Sequence, residues 1–342
     1  MTDPNARAAS FAASDGEPGA RPLRVWAVSD GRAGIENQAL GLAEAVARLT
    51  PAEVERKHVR FSGFYNALPT ALKLTPRRFL TRDSSPIEPP WPDLWIAAGR
   101  ASLPFSVRMR RWSGGKTFVV QTQDPRWPAE RFDLVVPPKH DGLTGDNVFP
   151  ITGSPHRITP ERLAEGWPAF ATALDPLPRP RVALLVGGRS AAFDLPPERA
   201  RVMADEVATA VEAAGGSIMA TFSRRTPEAA KAILTGRLKS LPGLVWDGEG
   251  PNPLFAFLHA ADHILVTEDS ANMATEATST GKPVQVLTMA GESPKFRRLH
   301  SELRELGVAR PFSGVLETWE YAPLCETERA AEGILRRLNR RD

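Results

Sequence analysis

Residues 261–287, ADHILVTEDSANMATEATSTGKPVQVL, hold a complete strand–helix–strand unit. The run His263–Val266 is short and apolar, which predicts a buried strand. Thr267-Glu268-Asp269-Ser270 breaks it, and a helix begins near Ser270 or Ala271, with Glu276 on its first turns. Gly281 ends that helix and Pro283 leads into the next apolar run, Val284–Leu287. Units of this kind build parallel sheets, and ligands of such sheets bind beyond the carboxyl ends of the strands. Glu268, Asp269 and Glu276 lie where carboxylates could hold a sugar-nucleotide hydroxyl. A metal is the rival ligand, but no histidine stands at metal-like spacing in the loop. Acidic residues favouring the helix dipole are the plain alternative.

The same alternation extends upstream. After Pro168–Pro180 (PAFATALDPLPRP), strands are expected at Arg181–Val186, Ser217–Thr221 and Leu244–Trp246, with helices at Pro197–Ala214 and Pro227–Leu238. Gly187 and Gly188, followed by Arg189, come straight after the first of these strands, where backbone N–H groups can approach an anion. Ser223-Arg224-Arg225-Thr226 precedes a helix-starting Pro227 and makes a phosphate clamp, or else a capped helix with solvated arginines.

The first half repeats the theme. Strands are expected at Leu23–Val28, Leu94–Ala98, Thr117–Val120, Leu134–Val136 and Val148–Ile151, with a helix at Glu36–Leu49. The proline-rich stretch Phe61–Pro92 interrupts them as an irregular insertion or lid with one helix around Tyr65–Leu74. Polar, glycine-bearing loops follow nearly every strand. After the first come Asp30, Gly31, Arg32, Gly34, Asn37 and Gln38, either a ligand loop or a plain turn capped by Asn37 or Asp30. Gly99 and Arg100 follow the third, Asp124 the fourth, and His140 with Asp141 the fifth. His140, Asp30 and Asp124 are the candidate general bases, His140 favoured because an ordinary imidazole titrates near neutrality.

The ends and the composition bound the rest. Residues 1–22 lack the apolar core of a secretory signal and carry Asp3, Asp15 and Glu17, so a disordered tail is expected. The 342 residues fit about two domains. We expect the first at 23–160, a linker at 161–180, the second at 181–312, and a C-terminal segment, 313–342, whose helix returns to the first. Lys+Arg 43 against Asp+Glu 40 argues against a nucleic-acid-coating protein. The single cysteine, Cys325, leaves no disulfide partner and no Cys-based zinc site. No run approaches a membrane span, so a cytoplasmic protein is expected. Trp91, Trp95, Trp112 and Trp127 could serve an acceptor at the inner-membrane surface, or pack in the core.

The Glu276 block with Thr280-Gly281-Lys282-Pro283-Val284 resembles the nucleotide-binding end of GT-B glycosyltransferases, such as the lipid-linked GlcNAc transferase of peptidoglycan synthesis. The whole chain, over residues 23–335, resembles a narrower family, the bacterial relatives of the plant mitochondrial fission protein Elongated Mitochondria. The matching residues are DGRAGIENQALGLAEAV (30–46), AAGR (97–100), Gln123-Asp124-Pro125, PKHDG (138–142), LLVGGRS (184–190), SRRTP (223–227), Asn252-Pro253, TEDSANMATEATSTGKPV (267–284) and GVARPF (307–312). The resemblance implies two facing Rossmann-like domains with parallel sheets across a cleft. It also implies a nucleotide-diphosphate sugar as donor substrate, with no further cofactor and no metal. Gly187, Gly188 and Ser223–Thr226 would hold its diphosphate and Glu276 its ribose, with Arg189, Glu268, Asp269 and Ser270 also on the nucleotide-binding side. The first half would take an unknown acceptor, so the protein is expected to be a glycosyltransferase. A nucleoside-diphosphate-sugar 2-epimerase and a non-catalytic adaptor related to the plant fission factor are the alternatives. Two positions depart from the pattern: Ile35 replaces the histidine of the peptidoglycan enzyme, and Asn272 stands where a serine is expected, altering a cap.

Overall fold

A computed structural model describes residues 21–340, so the expected tail lies outside the described residues apart from Arg21 and Pro22. The first half contains β1 (Leu23–Ser29), α1 (Ala33–Leu49), β2 (Ala52–His58), α2 (Gly63–Ala67), β3 (Leu94–Ala97), α3 (Leu103–Trp112), β4 (Phe118–Thr122) and β5 (Leu134–Val136). The five strands form one parallel sheet in the order β2-β1-β3-β4-β5. Its central strands read as unbroken apolar runs because helices cover both faces. The edge strand β2 (AEVERKH) carries Glu53, Glu55, Arg56 and Lys57, which is why no apolar run announces it.

Short helices α4 (Pro160–Gly166) and α5 (Ala171–Leu174) precede the second sheet. That half contains β6 (Arg181–Val186), β7 (Phe193–Asp194), α6 (Pro197–Ala213), β8 (Ser217–Phe222), α7 (Glu228–Leu238), β9 (Gly243–Val245), α8 (Leu254–Ala260), β10 (His263–Thr267), α9 (Ala271–Thr278), β11 (Val284–Leu287), β12 (Ala290–Gly291), α10 (Pro294–Glu305), β13 (Arg310–Pro311) and the final helix α11 (Glu326–Leu338). Six parallel strands run β13-β11-β10-β6-β8-β9, and β7 pairs antiparallel with β12. This is an α/β molecule of two Rossmann-like halves. In each sheet the order reverses beside the first strand of that half, which opens a crevice at the strands' carboxyl ends.

Three local expectations need correction. Val148 and Ile151 make only isolated bridges to the β5 region and form no strand. The helix expected around Tyr65–Leu74 is α2 followed by a 3-10 turn at Thr70–Leu72, because Pro69 breaks the run. Residues 161–180 do more than link: Leu163 and Leu174 are buried in the second half's core, with Trp167 and Phe170 packed against it.

The halves meet in a polar joint. Helix α11 packs on α1, with Ala330, Ala331 and Ile334 in the first half's core and Arg48 paired to Glu328 at 2.8 Å. Gly41 of α1 abuts the His156 carbonyl so closely that a Cβ would overlap it. His156 is buried: its Nδ1 accepts the Ile158 N–H at 3.1 Å, and Oγ of Ser279, which caps the end of α9, lies 2.7 Å from Nε2. Since Nδ1 accepts, the ring is neutral, and burial pushes its pKa down to about 4.

Candidate functional site

The carboxyl ends of the first sheet open onto a cavity of about 1380 Å³. Asp30, Gly99, Arg100, Asp124, His140 and Asp141 line it, as do Arg32 and Gln38. Gly31, Gly34 and Asn37 are off the wall. Gly31 serves the turn instead, with φ +75° and its N–H donated to Ser29 Oγ at 3.1 Å. The second half closes the cavity with Ala271 and Asn272 of α9 and Lys295 and Phe296 of α10.

The three candidate bases share this wall but differ in setting. Asp30 is tied to Arg32 at 2.7 Å. Asp124 accepts the Arg126 N–H at 2.8 Å and has no ion pair among the described residues. His140 sits in a 3-10 turn, Lys139–Asp141, with Nδ1 buried and unpartnered. Burial, then the nearby Lys295 charge, pushes its pKa down to about 4. The near-neutral imidazole expected here is therefore corrected to a weakly basic one. Asp141 offsets that shift only in part, since its carboxylate also pairs with Lys295 at 2.5 Å.

The loop after β4 is strained. Gln123 (φ 67°) and Arg126 (φ 50°) both hold left-handed backbone that non-glycine residues rarely adopt. Gln123 Nε2 donates to Gln38 Oε1 at 2.9 Å, and Gln38 Nε2 donates to Asn272 Oδ1 at 2.9 Å. Asn272 also accepts Ser154 Oγ–H at 2.7 Å and donates to the Gly34 carbonyl at 2.9 Å. Asn272 is thus no altered cap: it latches α9 to the first half. The cap is Ser270, whose hydroxyl accepts from the Met273 N–H. A side-chain amide at the helix's second position was visible in sequence, but its partners lie more than a hundred residues away.

The other predicted nucleotide residues are largely committed to one another. Gly187 N–H donates to Thr267 Oγ1 at 2.7 Å and Gly188 N–H to Asp269 Oδ2 at 2.9 Å. Thr267 Oγ1–H and Arg225 Nη2 also reach the Asp269 carboxylate, at 2.7 and 3.2 Å. A buried carboxylate of the protein's own therefore fills the anion pocket that the two glycines frame. They are glycines because a Cβ at 187 would overlap Asp269 and one at 188 the Arg225 carbonyl. The expectation that their amides face a diphosphate is corrected accordingly. Thr226 Oγ1–H is spent on the Gly187 carbonyl at 2.6 Å, Ser223 Oγ accepts the Arg225 N–H at 3.2 Å, and Arg189 pairs with Asp194 at 2.9 Å. Glu268 accepts the Met289 N–H at 2.6 Å. Arg224 alone in this group is exposed and unpartnered among the described residues.

Glu276 differs from all of these. It is 7% exposed and has no hydrogen-bond or ion-pair partner among the described residues, and burial pushes its pKa up to about 7. It lies four residues beyond Asn272 on α9, buried behind the cavity rather than among the residues that line it. Ala271 and Asn272, the first two residues of that helix, line the cavity, and a helix N-terminus favours an anion.

Two Rossmann-like halves facing each other across a cleft define the GT-B class of fold. UDP-GlcNAc 2-epimerase from Methanocaldococcus jannaschii shares it, with a TM-score of 0.52 at 12% identity, covering 92% of this chain and 100% of that one. Within that class the chain belongs to the Mitochondrial fission ELM1 family, whose model matches residues 33–338. Mitochondrial fission protein ELM1 of Arabidopsis thaliana is 32% identical over 274 residues, 72% of this chain and 64% of the plant protein. This chain thus spans somewhat under two thirds of that relative's length. An uncharacterized protein of Rickettsia prowazekii (strain Madrid E) is 25% identical over 363 residues, 91% of this chain and 98% of its own.

Proposed function

We propose that the cleft binds a nucleotide-diphosphate sugar and that the protein transfers the sugar to an acceptor seated on the first-half wall. The observation that carries this reading is Glu276, a buried carboxyl without a hydrogen-bond or ion-pair partner among the described residues, on the helix whose N-terminus meets the cavity. A ribose diol would supply the missing donors. The diphosphate would lie at the Ala271 and Asn272 amides, near Lys295, rather than at Gly187 and Gly188. Charge growing on the departing diphosphate would be met chiefly by the helix terminus, since Lys295 is already paired with Asp141. Among the bases, Asp30 is neutralised by Arg32 and His140 binds a proton weakly, which leaves Asp124 to take the acceptor's proton. A uridine donor is the first to test, because the structural neighbour is named for UDP-GlcNAc.

A second reading, a non-catalytic adaptor on this scaffold, is favoured by Asp269 filling the glycine pocket and by the Asn272 latch. A structure determined with UDP-GlcNAc tests the first: density between the α9 N-terminus and Glu276 supports it, and an empty cleft at saturating ligand contradicts it. Product analysis separates the enzymes, since an epimerase returns the sugar still attached to its nucleotide. If Glu276→Ala and Arg224→Ala leave cellular function intact, the adaptor reading stands instead.

A further inference from the structure

The cavity wall carries six cationic and three acidic side chains. Arg32 is answered by Asp30, Lys295 by Asp141 and Arg60 by Asp83. Lys73, Arg100 and Arg126 have no ion pair among the described residues, and all three face the first-half part of the cavity. Lys73 is the most telling. It is 5% exposed, its Nζ makes one hydrogen bond, to the Asn66 carbonyl at 3.1 Å, and it lies 4.9 Å from the Phe61 ring centroid. Burial pushes its pKa down, with no carboxylate opposing the effect. A buried ammonium left without an anion is costly unless a ligand supplies one.

The three cations come from neighbouring elements. Arg100 follows β3 and Arg126 follows β4, adjacent strands about 4.8 Å apart. Lys73 ends the 3-10 turn that packs on α3, the helix beginning three residues after Arg100. Three separate donors around one space suit a phosphate, whose several oxygens can each take one, better than a carboxylate, which one arginine satisfies alone.

We propose that Lys73, Arg100 and Arg126 form a subsite for a phosphate ester, the group carried by the acceptor. The assignment to the acceptor rests on the transfer reading above; the anion subsite itself does not. Phe64, Leu72 and Leu74, strongly exposed on the segment that carries Lys73, make a phospholipid-like amphiphile one source of that phosphate and a soluble phosphomonoester the other.

Calorimetric titration of the full chain with sn-glycerol 3-phosphate, and sedimentation with phosphatidylcholine vesicles with and without phosphatidic acid, separate the two sources. In at least one arm the wild type is expected to bind, with affinity falling about tenfold or more in Lys73→Met and in the exposed-residue pair Arg100→Ala/Arg126→Ala. Binding in neither arm, or binding that both variants retain, overturns the subsite. UDP titrated into the same variants keeps the readings apart. Unchanged UDP binding is expected, and UDP binding that falls with the phosphate ester's overturns the assignment to the acceptor. If UDP fails to bind any variant while the phosphate ester binds through these cations, the transfer reading falls and the subsite stands.

Discussion

At the scale of single residues, Glu276 and Asp269 show two opposite treatments of a buried carboxylate. Asp269 collects a glycine amide, a threonine hydroxyl and a guanidinium, whereas Glu276 collects no partner among the described residues. The stability consequence has a definite sign. A carboxyl whose folded pKa rises from about 4.5 to about 7 stabilises the fold below pH 4.5, and that contribution is lost as pH rises through 7. Glu276→Gln should therefore raise stability at pH 8 by roughly 1–3 kcal/mol and leave it nearly unchanged at pH 4.5. Urea unfolding at the two pH values checks this. For Asp124, replacement by Asn should cost on the order of 10²-fold or more in kcat while nucleotide affinity holds. Gly187→Ala should destabilise by several kcal/mol through its overlap with Asp269, measurable by thermal denaturation.

Among the elements, α9 and α10 carry the contact between the halves near the cavity. Helix α9 is held through Asn272. Helix α10 sits on the Lys139–Asp141 turn through Lys295–Asp141, Lys139–Glu302 at 2.8 Å, and Arg298 to the His140 carbonyl at 2.9 Å. Asn272→Ala combined with Glu302→Ala should loosen the joint and raise the radius of gyration in small-angle scattering. An unchanged scattering curve would assign these contacts no closing role. The buried strands of both sheets were legible because helices on both faces force continuous apolar runs. The charged edge strand β2 was not, nor was α10, whose KFRRLHSELRE surface is mostly polar. Strand-end loops located the cavity wall through Asp30, Gly99, Arg100, Asp124 and His140. What they could not reveal was pairing. The Gly-Gly and Arg-Arg loops look equally apt for a phosphate or for Asp269, and only the fold says which takes the place. Lys73 escaped notice because it lies in an irregular stretch where no periodicity assigns a lysine to the interior.

For the whole molecule, His156 sits at the joint: its carbonyl abuts Gly41 of α1, its N–H donates to Thr327 Oγ1 of α11 at 3.1 Å, and its neutral ring bonds Ser279 at the end of α9. Its folded pKa of about 4 against about 6.5 when unfolded means stability is full above pH 6.5 and falls as pH drops toward 4. The loss from this group amounts to about 3 kcal/mol. Thermal melts between pH 7 and 4.5 should show the decline, and His156→Gln should flatten it. If the carboxyl on α9 awaits a nucleotide, calorimetric titration of UDP, ADP, GDP and CMP into wild type and Glu276→Gln at pH 7 will show it. At least one nucleotide should bind the wild type, and the variant, folded and no less stable, should lose tenfold or more of that affinity. Nucleotide binding that Glu276→Gln leaves intact, or none by the wild type to any of the four, would contradict this reading.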